Sequence, residues 1–271
     1  MEYTLVDYNT KGLPANFAAG LKAEQQMAYI LKSFFKQEKD LCIINGLRLE
    51  IDKEINVQFD HLLFHKKGVF IIESKSVSTK IKITQNQEWL RLENNHYKGI
   101  PSPINQLKRQ AKLLREFLQK NRELLRDEEK FLFFKKQGGF INMKIDPIVA
   151  ISQNGIITGF RNTDIPILKA DEVPNYINIK LDEYFSNNLL KKLSDVDWIL
   201  SDDEFLIIID FLIKHHKPFN YNKKGSKYYC FACKKPISYS EAKYCFERKK
   251  IFGGKAYCIS CQQKITNRKY Q

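Results

Sequence analysis

The sequence contains no apolar run long enough to cross a membrane. Its most apolar stretch, Phe205–Ile213, is short and is broken by Asp210, whereas a helical span takes about 20 residues. No membrane association is therefore expected. Met1–Phe17 shows neither a basic start nor an apolar stretch, which argues against a secretory signal and leads to the expectation of a cytoplasmic protein. Internal repeats are lacking, so 271 residues fit one or two ordinary domains. Acids are scarce in one region only. Residues 217–271 hold two, Glu241 and Glu247, against 14 Lys and Arg, so this fifth of the chain carries nearly all of the net charge of +14. A basic appendage on a near-neutral body is expected, divided as 1–216 and 217–271.

What is present fits a folded protein. Hydrophobic residues make up 43% and aromatics 13%, enough for a packed core and unlike a disordered chain. The positive excess favours a polyanionic partner, because Lys and Arg near phosphates release condensed counterions. A generally basic protein is the plainer explanation. Six cysteines without a secretory signal point to a reducing compartment, where closely paired cysteines more often bind metal than form disulfides.

Apolar spacing predicts a helix over 20–37, a strand over 41–49, and two strands, 57–64 and 69–77, joined by His65-Lys66-Lys67-Gly68 as a hairpin. Short strands are expected at 81–83 and 88–92, a helix over 102–125, a buried strand over 144–152 and another at 165–168. Helices are expected at 171–177 and 182–193. Ser201-Asp202-Asp203-Glu204 fits a capping box opening a helix to about His216, which Pro218 would stop. Of Trp198 the sequence says only that it precedes this terminal helix, and His215 and His216 are expected to cap the helix end. This order predicts a mixed α/β sandwich around one central sheet.

The most informative stretch runs from Phe59 to Lys75. Side chains on a strand alternate faces, so Glu73 and Lys75 point the same way, and Asp60 lies on the partner strand. Two carboxylates and an ammonium can then converge at a sheet surface. The apolar run Val69–Ile72 implies a strand covered on both faces, where unpaired charge is costly. Metal binding supplies a reason for placing charge there. Magnesium prefers carboxylate oxygens and generates hydroxide at neutral pH, and Lys75 would stabilise charge developing at phosphorus. A solvated strand end with cross-strand ion pairs is the alternative. His61 alternates away from Asp60 and is expected to pack or hydrogen-bond.

Five short motifs, in order, resemble the nuclease-related domain (NERD), a branch of the PD-(D/E)XK nuclease superfamily. They are Gly20-Leu21-Lys22-Ala23-Glu24, Phe59-Asp60-His61-Leu62-Leu63, Gly68-Val69-Phe70-Ile71-Ile72-Glu73-Ser74-Lys75, Trp89, and Ser102-Pro103-Ile104-Asn105-Gln106. Ser102 stands where the family has Asn. The resemblance covers roughly residues 15–120 and extends more loosely to 177. It implies a restriction-endonuclease-like central mixed sheet flanked by helices. It implies Asp60 and Glu73 as ligands of Mg2+ or Mn2+, with the Ser74 carbonyl, and Lys75 as the catalytic lysine. Glu24 would be a further carboxylate facing the site, and Gln106 would orient a metal-bound water or a phosphate. Local readings of these two are a helix-start acid and an ordinary polar helix residue.

Cys230-Phe231-Ala232-Cys233 and Cys258-Ile259-Ser260-Cys261 are two C-x-x-C knuckles separated by 24 residues. Four thiolates at such spacing make a tetrahedral structural Zn2+ site. So short a module builds little core, so a metal staple makes physical sense. Cys245 lacks a knuckle partner and is expected to be a buried thiol or a substitute ligand. Cys42 is expected in the core. The tail resembles the zinc ribbons at the C-terminus of type I topoisomerases, which accompany nuclease-related domains. The whole reads as a metal-dependent DNA nuclease whose ribbon binds nucleic acid, DNA before RNA. A non-catalytic DNA-binding or interaction protein retaining the nuclease fold is the alternative.

Overall fold

The computed structural model describes residues 1–10, 15–77, 79–131, 134–159, 163–185, 199–218 and 228–268. The chain begins with β1 (Glu2–Thr4), α1 (Ala15–Phe34), β2 (Leu41–Glu50), β3 (Asn56–His65) and β4 (Gly68–Lys75). It continues with β5 (Lys80–Ile83), β6 (Trp89–Glu93), β7 (His96–Ile100), α2 (Pro103–Lys120), α3 (Arg122–Leu125), β8 (Glu128–Phe131) and β9 (Phe134–Gln137). Then come β10 (Ile145–Ile151), β11 (Ile156–Gly159), β12 (Ile167–Lys169), α4 (Val173–Phe185) and α5 (Asp202–Lys214). The tail holds β13 (Tyr228–Tyr229), β14 (Pro236–Ile237), α6 (Tyr239–Glu247), α7 (Lys249–Phe252) and α8 (Ile259–Arg268). Two compact units result: Met1–Tyr8 with Lys22–Lys217, and Asn9–Leu21 with Pro218–Gln271.

The first unit is the mixed α/β sandwich expected from the element order. Its six-stranded sheet runs β1-β2-β3-β4-β10-β12. β3 is antiparallel to β2 and β4, while β10 lies parallel to β4 and pairs Val149 with Glu73 and Ile151 with Lys75. A parallel neighbour requires a long crossover, here supplied by β5 to β7 and α2. β5 to β7 of that crossover join β11 in a second sheet, ordered β11-β5-β6-β7.

β4 is buried on both faces, as its apolar run implies. Val69 and Ile71 join a core with Leu107, Leu114 and Phe117 of α2 and Phe205 and Ile208 of α5. Phe70 and Ile72 join a second core with Met27 and Leu31 of α1 and Val173 and Ile177 of α4. Each such side chain contributes roughly 1.5–3 kcal/mol on full burial. Cys42 lies in the first of these cores.

Several boundaries differ from the sequence expectation for local reasons. The β3–β4 connector has two residues, not four, because His65 and Gly68 still pair across the hairpin and the His65 ring accepts the Lys67 N–H. The helix expected over 102–125 breaks at Asn121, whose side-chain amide donates to the Phe117 carbonyl. The segments expected as two helices after 171 form one, α4, up to Phe185. The remainder of that expectation, and Trp198, lie outside the described residues. The Ser201–Glu204 capping box is present in full. Glu204 also holds buried Arg126 at 2.7 Å. His215 caps α5 by bonding the Phe211 carbonyl, whereas His216 accepts the Arg48 N–H on β2. No described helix is long and apolar enough to cross a membrane.

Candidate functional site

Glu73 and Lys75 project from the end of β4 toward α2. Glu73 is only 3% exposed, yet its carboxylate is fully engaged. The Lys75 ammonium lies 2.5 Å from one oxygen. The other oxygen accepts from Gln106 at 2.6 Å and from Gln110 at 3.2 Å. Lys75 also donates to the side-chain Oε1 of Gln106 at 3.4 Å. Gln110 was not among the sequence candidates. It sits one helical turn beyond Gln106, and that spacing was the available signal.

Asp60 approaches from β3. It is 8% exposed and accepts the Ser74 N–H at 3.0 Å. Burial pushes its carboxyl well above the usual range, and Glu73 and Glu24 add to this against Lys75 and the Ser74 bond. Glu24, on α1, is raised to about 7 by burial and then by Glu73, with Lys75 opposing. The structure thus brings Asp60, Glu73, Lys75 and Gln106 together at one strand end, with Glu24 in their electrostatic field. A recess beside them is lined by Ala23, Gln26, Ser74, Lys75 and Ser152.

Two supports hold this strand end. His61 is buried and bridges Asn45 at 2.8 Å and Ser74 at 3.0 Å. Burial lowers its ring to about 3, so it is a neutral hydrogen-bonding group. Ser152, at the end of β10, donates its hydroxyl to the Lys75 carbonyl and accepts the Val77 N–H. Ser152 was legible only as the end of a strand.

In the tail, the sulfurs of Cys230, Cys233, Cys258 and Cys261 all lie within 4.8 Å of one another. Cys233 and Cys258 are 3.6 Å apart, and no cysteine is in a disulfide. A tetrahedron with Zn–S bonds of about 2.3 Å has edges near 3.8 Å, so the group fits zinc. Burial works to raise the Cys230 thiol, but hydrogen bonds from the Cys233 and Cys258 backbones outweigh it and bring it down to about 6. Cys245 stays outside the cluster as a buried thiol that accepts the Tyr257 N–H at 3.3 Å. The residues between the knuckles include β14, α6 and α7.

The surface of this module combines rings and cations. Phe231 is 48% exposed and Tyr229 is 55% exposed. Lys255 stands 3.8 Å and Lys234 4.9 Å from the Phe231 ring centre. Arg248 lies 3.9 Å over Tyr244.

Residues 19–152 match the model of the nuclease-related domain, NERD. The matched segment contains Glu24, Asp60, Glu73, Lys75 and Gln106, the whole of the strand-end cluster. The four-cysteine module lies beyond it. No curated protein and no solved structure matches the chain.

Proposed function

We propose that the chain is a metal-dependent nuclease that hydrolyses DNA phosphodiester bonds, with a zinc-bearing tail that binds nucleic acid. The observation carrying this reading is the meeting of Asp60, Glu73, Lys75 and Gln106 at one strand end inside the matched segment. Charge balance supports a divalent cation. Three acids, Asp60, Glu73 and Glu24, share the one ammonium of Lys75, and burial drives Asp60 and Glu24 toward their neutral forms. Hard oxygen donors of this kind suit Mg2+ or Mn2+. Asp60 and Glu73 would hold the ion, with the Ser74 carbonyl. Bound there, it supplies Lewis-acid polarisation of the phosphoryl group and hydroxide at neutral pH.

The chain's own residues do the positioning. Gln106 and Gln110 hold the Glu73 carboxylate in one orientation. Lys75 is braced through its backbone by Ser152, which aims the ammonium where charge develops on phosphorus. Gln106 touches both Glu73 and Lys75, a suitable place to orient a water or a phosphate oxygen. Glu24, raised to about 7, is matched to proton transfer near neutrality.

Four thiolates would give the tail a closed structural zinc site. Its net charge before zinc is +12 over residues 217–271, which favours phosphate contacts. The exposed Phe231 and Tyr229 rings offer stacking surfaces for single-stranded bases. DNA is preferred over RNA because the tail resembles the ribbons of topoisomerases.

The test is cleavage of linear, circular and single-stranded DNA, with RNA alongside, with and without Mg2+, using the zinc-loaded protein. Magnesium-dependent cutting of DNA that Lys75→Ala reduces by about 100-fold or more is expected. Equal behaviour of the two proteins would leave the non-catalytic binding reading in its place.

A further inference from the structure

The first eight residues run into the candidate site. β1 pairs in parallel with Ile43–Asn45 of β2, and the Leu5 N–H extends the pairing to the Asn45 carbonyl at 2.9 Å. Val6 then packs on Gly46. A Cβ on Gly46 would lie 2.5 Å from the Val6 Cβ, and the Gly46 backbone has φ +72°. Gly46 occupies the β2 position opposite Asp60, between the pairs Asn45↔His61 and Leu47↔Phe59. The chain therefore crosses the sheet beside Asp60, and Tyr8 follows two residues later.

The Tyr8 hydroxyl is buried and has no hydrogen-bond partner among the described residues. A buried hydroxyl left without a partner is costly. Burial, then Glu24, Asp60 and Glu2, raise its pKa, so the phenol is protonated. The carboxylates of Glu24, Asp60 and Glu2 lie close enough to act on it electrostatically, and among the described residues it bonds to none of them. The arrangement is that of a donor waiting for an oxygen that is brought in from outside.

We propose that Tyr8 is a further catalytic residue, whose hydroxyl donates a hydrogen bond to a non-bridging oxygen of the phosphodiester beside Asp60 and Glu24. This rests on the nuclease reading of that cluster. Non-bridging phosphate oxygens are acceptors with spare lone pairs and match a donor directly. A metal-bound water commits a lone pair to the metal and acts mainly as a donor, which Asp60 and Glu24 already suit.

The test is Tyr8→Phe, which keeps the ring and removes only the oxygen. Cleavage kinetics in Mg2+ are measured together with binding of the dinucleotide thymidylyl-thymidine in Ca2+ and the melting temperature. A bond to a charged phosphate predicts a kcat/KM about 10- to 100-fold lower. Dinucleotide binding weakens likewise, the Mg2+ half-saturation is unchanged, and the melting temperature is unchanged or higher. Unaltered kcat/KM and dinucleotide binding would overturn the assignment while wild-type cleavage leaves the nuclease reading standing. A shifted Mg2+ half-saturation would move the hydroxyl to the metal water, and a melting temperature lowered by several degrees would make its role structural. If the wild type neither cuts DNA nor binds the dinucleotide, both readings fall. If it binds without cutting, weaker binding by Tyr8→Phe still supports the contact.

Discussion

Glu24→Gln is predicted to stabilise the protein when no Mg2+ is present, and to do so more as the pH rises. The carboxyl of Glu24 is raised from 4.5 to about 7 by burial and by Glu73. Because the folded value exceeds the unfolded one, the bound proton favours the fold. That contribution is complete below about pH 4.5 and is lost as the pH rises through about 7. At 1.36 kcal/mol for each tenfold change, the whole effect is about 3 kcal/mol, a ceiling because half-buried Glu24 keeps some water. Glutamine mimics the protonated acid and escapes the loss. The variant should exceed the wild type by about 1.4 kcal/mol near pH 5.5 and by up to about 3 kcal/mol near pH 8.5, so the gap roughly doubles across that interval. Urea denaturation of both zinc-loaded proteins across that range, in Mg2+-free buffer, measures the gap. Titration of the cysteine cluster is common to both proteins and cancels in the difference. Added Mg2+ should shrink the gap by neutralising the ionised cluster. A gap that stays constant with pH, or a variant weaker at pH 8.5, would refute the reasoning.

Three further outcomes are expected. Glu204→Ala removes the 2.7 Å ion pair to the buried Arg126 guanidinium and the acceptor of the Asp127 N–H, so it should cost about 3–5 kcal/mol in urea denaturation; a loss below about 1 kcal/mol would contradict the pairing. Stripping zinc with a strong chelator should melt α6 to α8, seen as lost helical circular dichroism, because the buried apolar residues of the tail, among those described, are only Cys230, Ile237, Ala242, Cys245 and Phe252; an unchanged spectrum would count against a metal staple. Phe231→Ala should weaken single-stranded DNA binding about 5- to 150-fold at constant salt dependence, whereas Lys255→Ala should mainly flatten the salt dependence, by about 0.7 in log–log slope. Equal effects of the two substitutions on the slope would argue against a stacking role for the ring.

The hairpin that carries Asp60, Glu73 and Lys75 was legible because its signals are local. Strand alternation fixes the faces within a few residues, and the turn lies beside them. The two cysteine knuckles were legible for the same reason. What escaped depends on long-range pairing or on single residues. β1 has three residues, largely exposed, and exists because it pairs with a strand some 40 positions away. Tyr8 follows from β1 and could not be placed without it. β7 is an exposed edge strand; its one signal was Asn94-Asn95, both at positive φ, a pair suited to a tight hairpin turn. Asn121 ended α2 through one side-chain bond, in a stretch read as helical to Leu125 although its apolar spacing lapses at Asn121-Arg122.

Glu241 is one of two acids in the tail, and it is turned inward. It closes the capping box of α6 with Ser238 and accepts the Ile259 N–H at the start of α8. Its charge is spent on joining two helices. Of the acids in residues 217–271, only Glu247 remains to dilute the outward field, and its nearest cations, Lys243 and Arg248, stand 3.9 Å away. A surface of nearly one sign attracts a polyanion over a range set by the Debye length, about 8 Å at physiological salt. It accelerates encounter without fixing a register. Under the proposed function the consequence is kinetic: the tail would capture DNA quickly, release it readily as salt rises, and let the chain scan for a place to act.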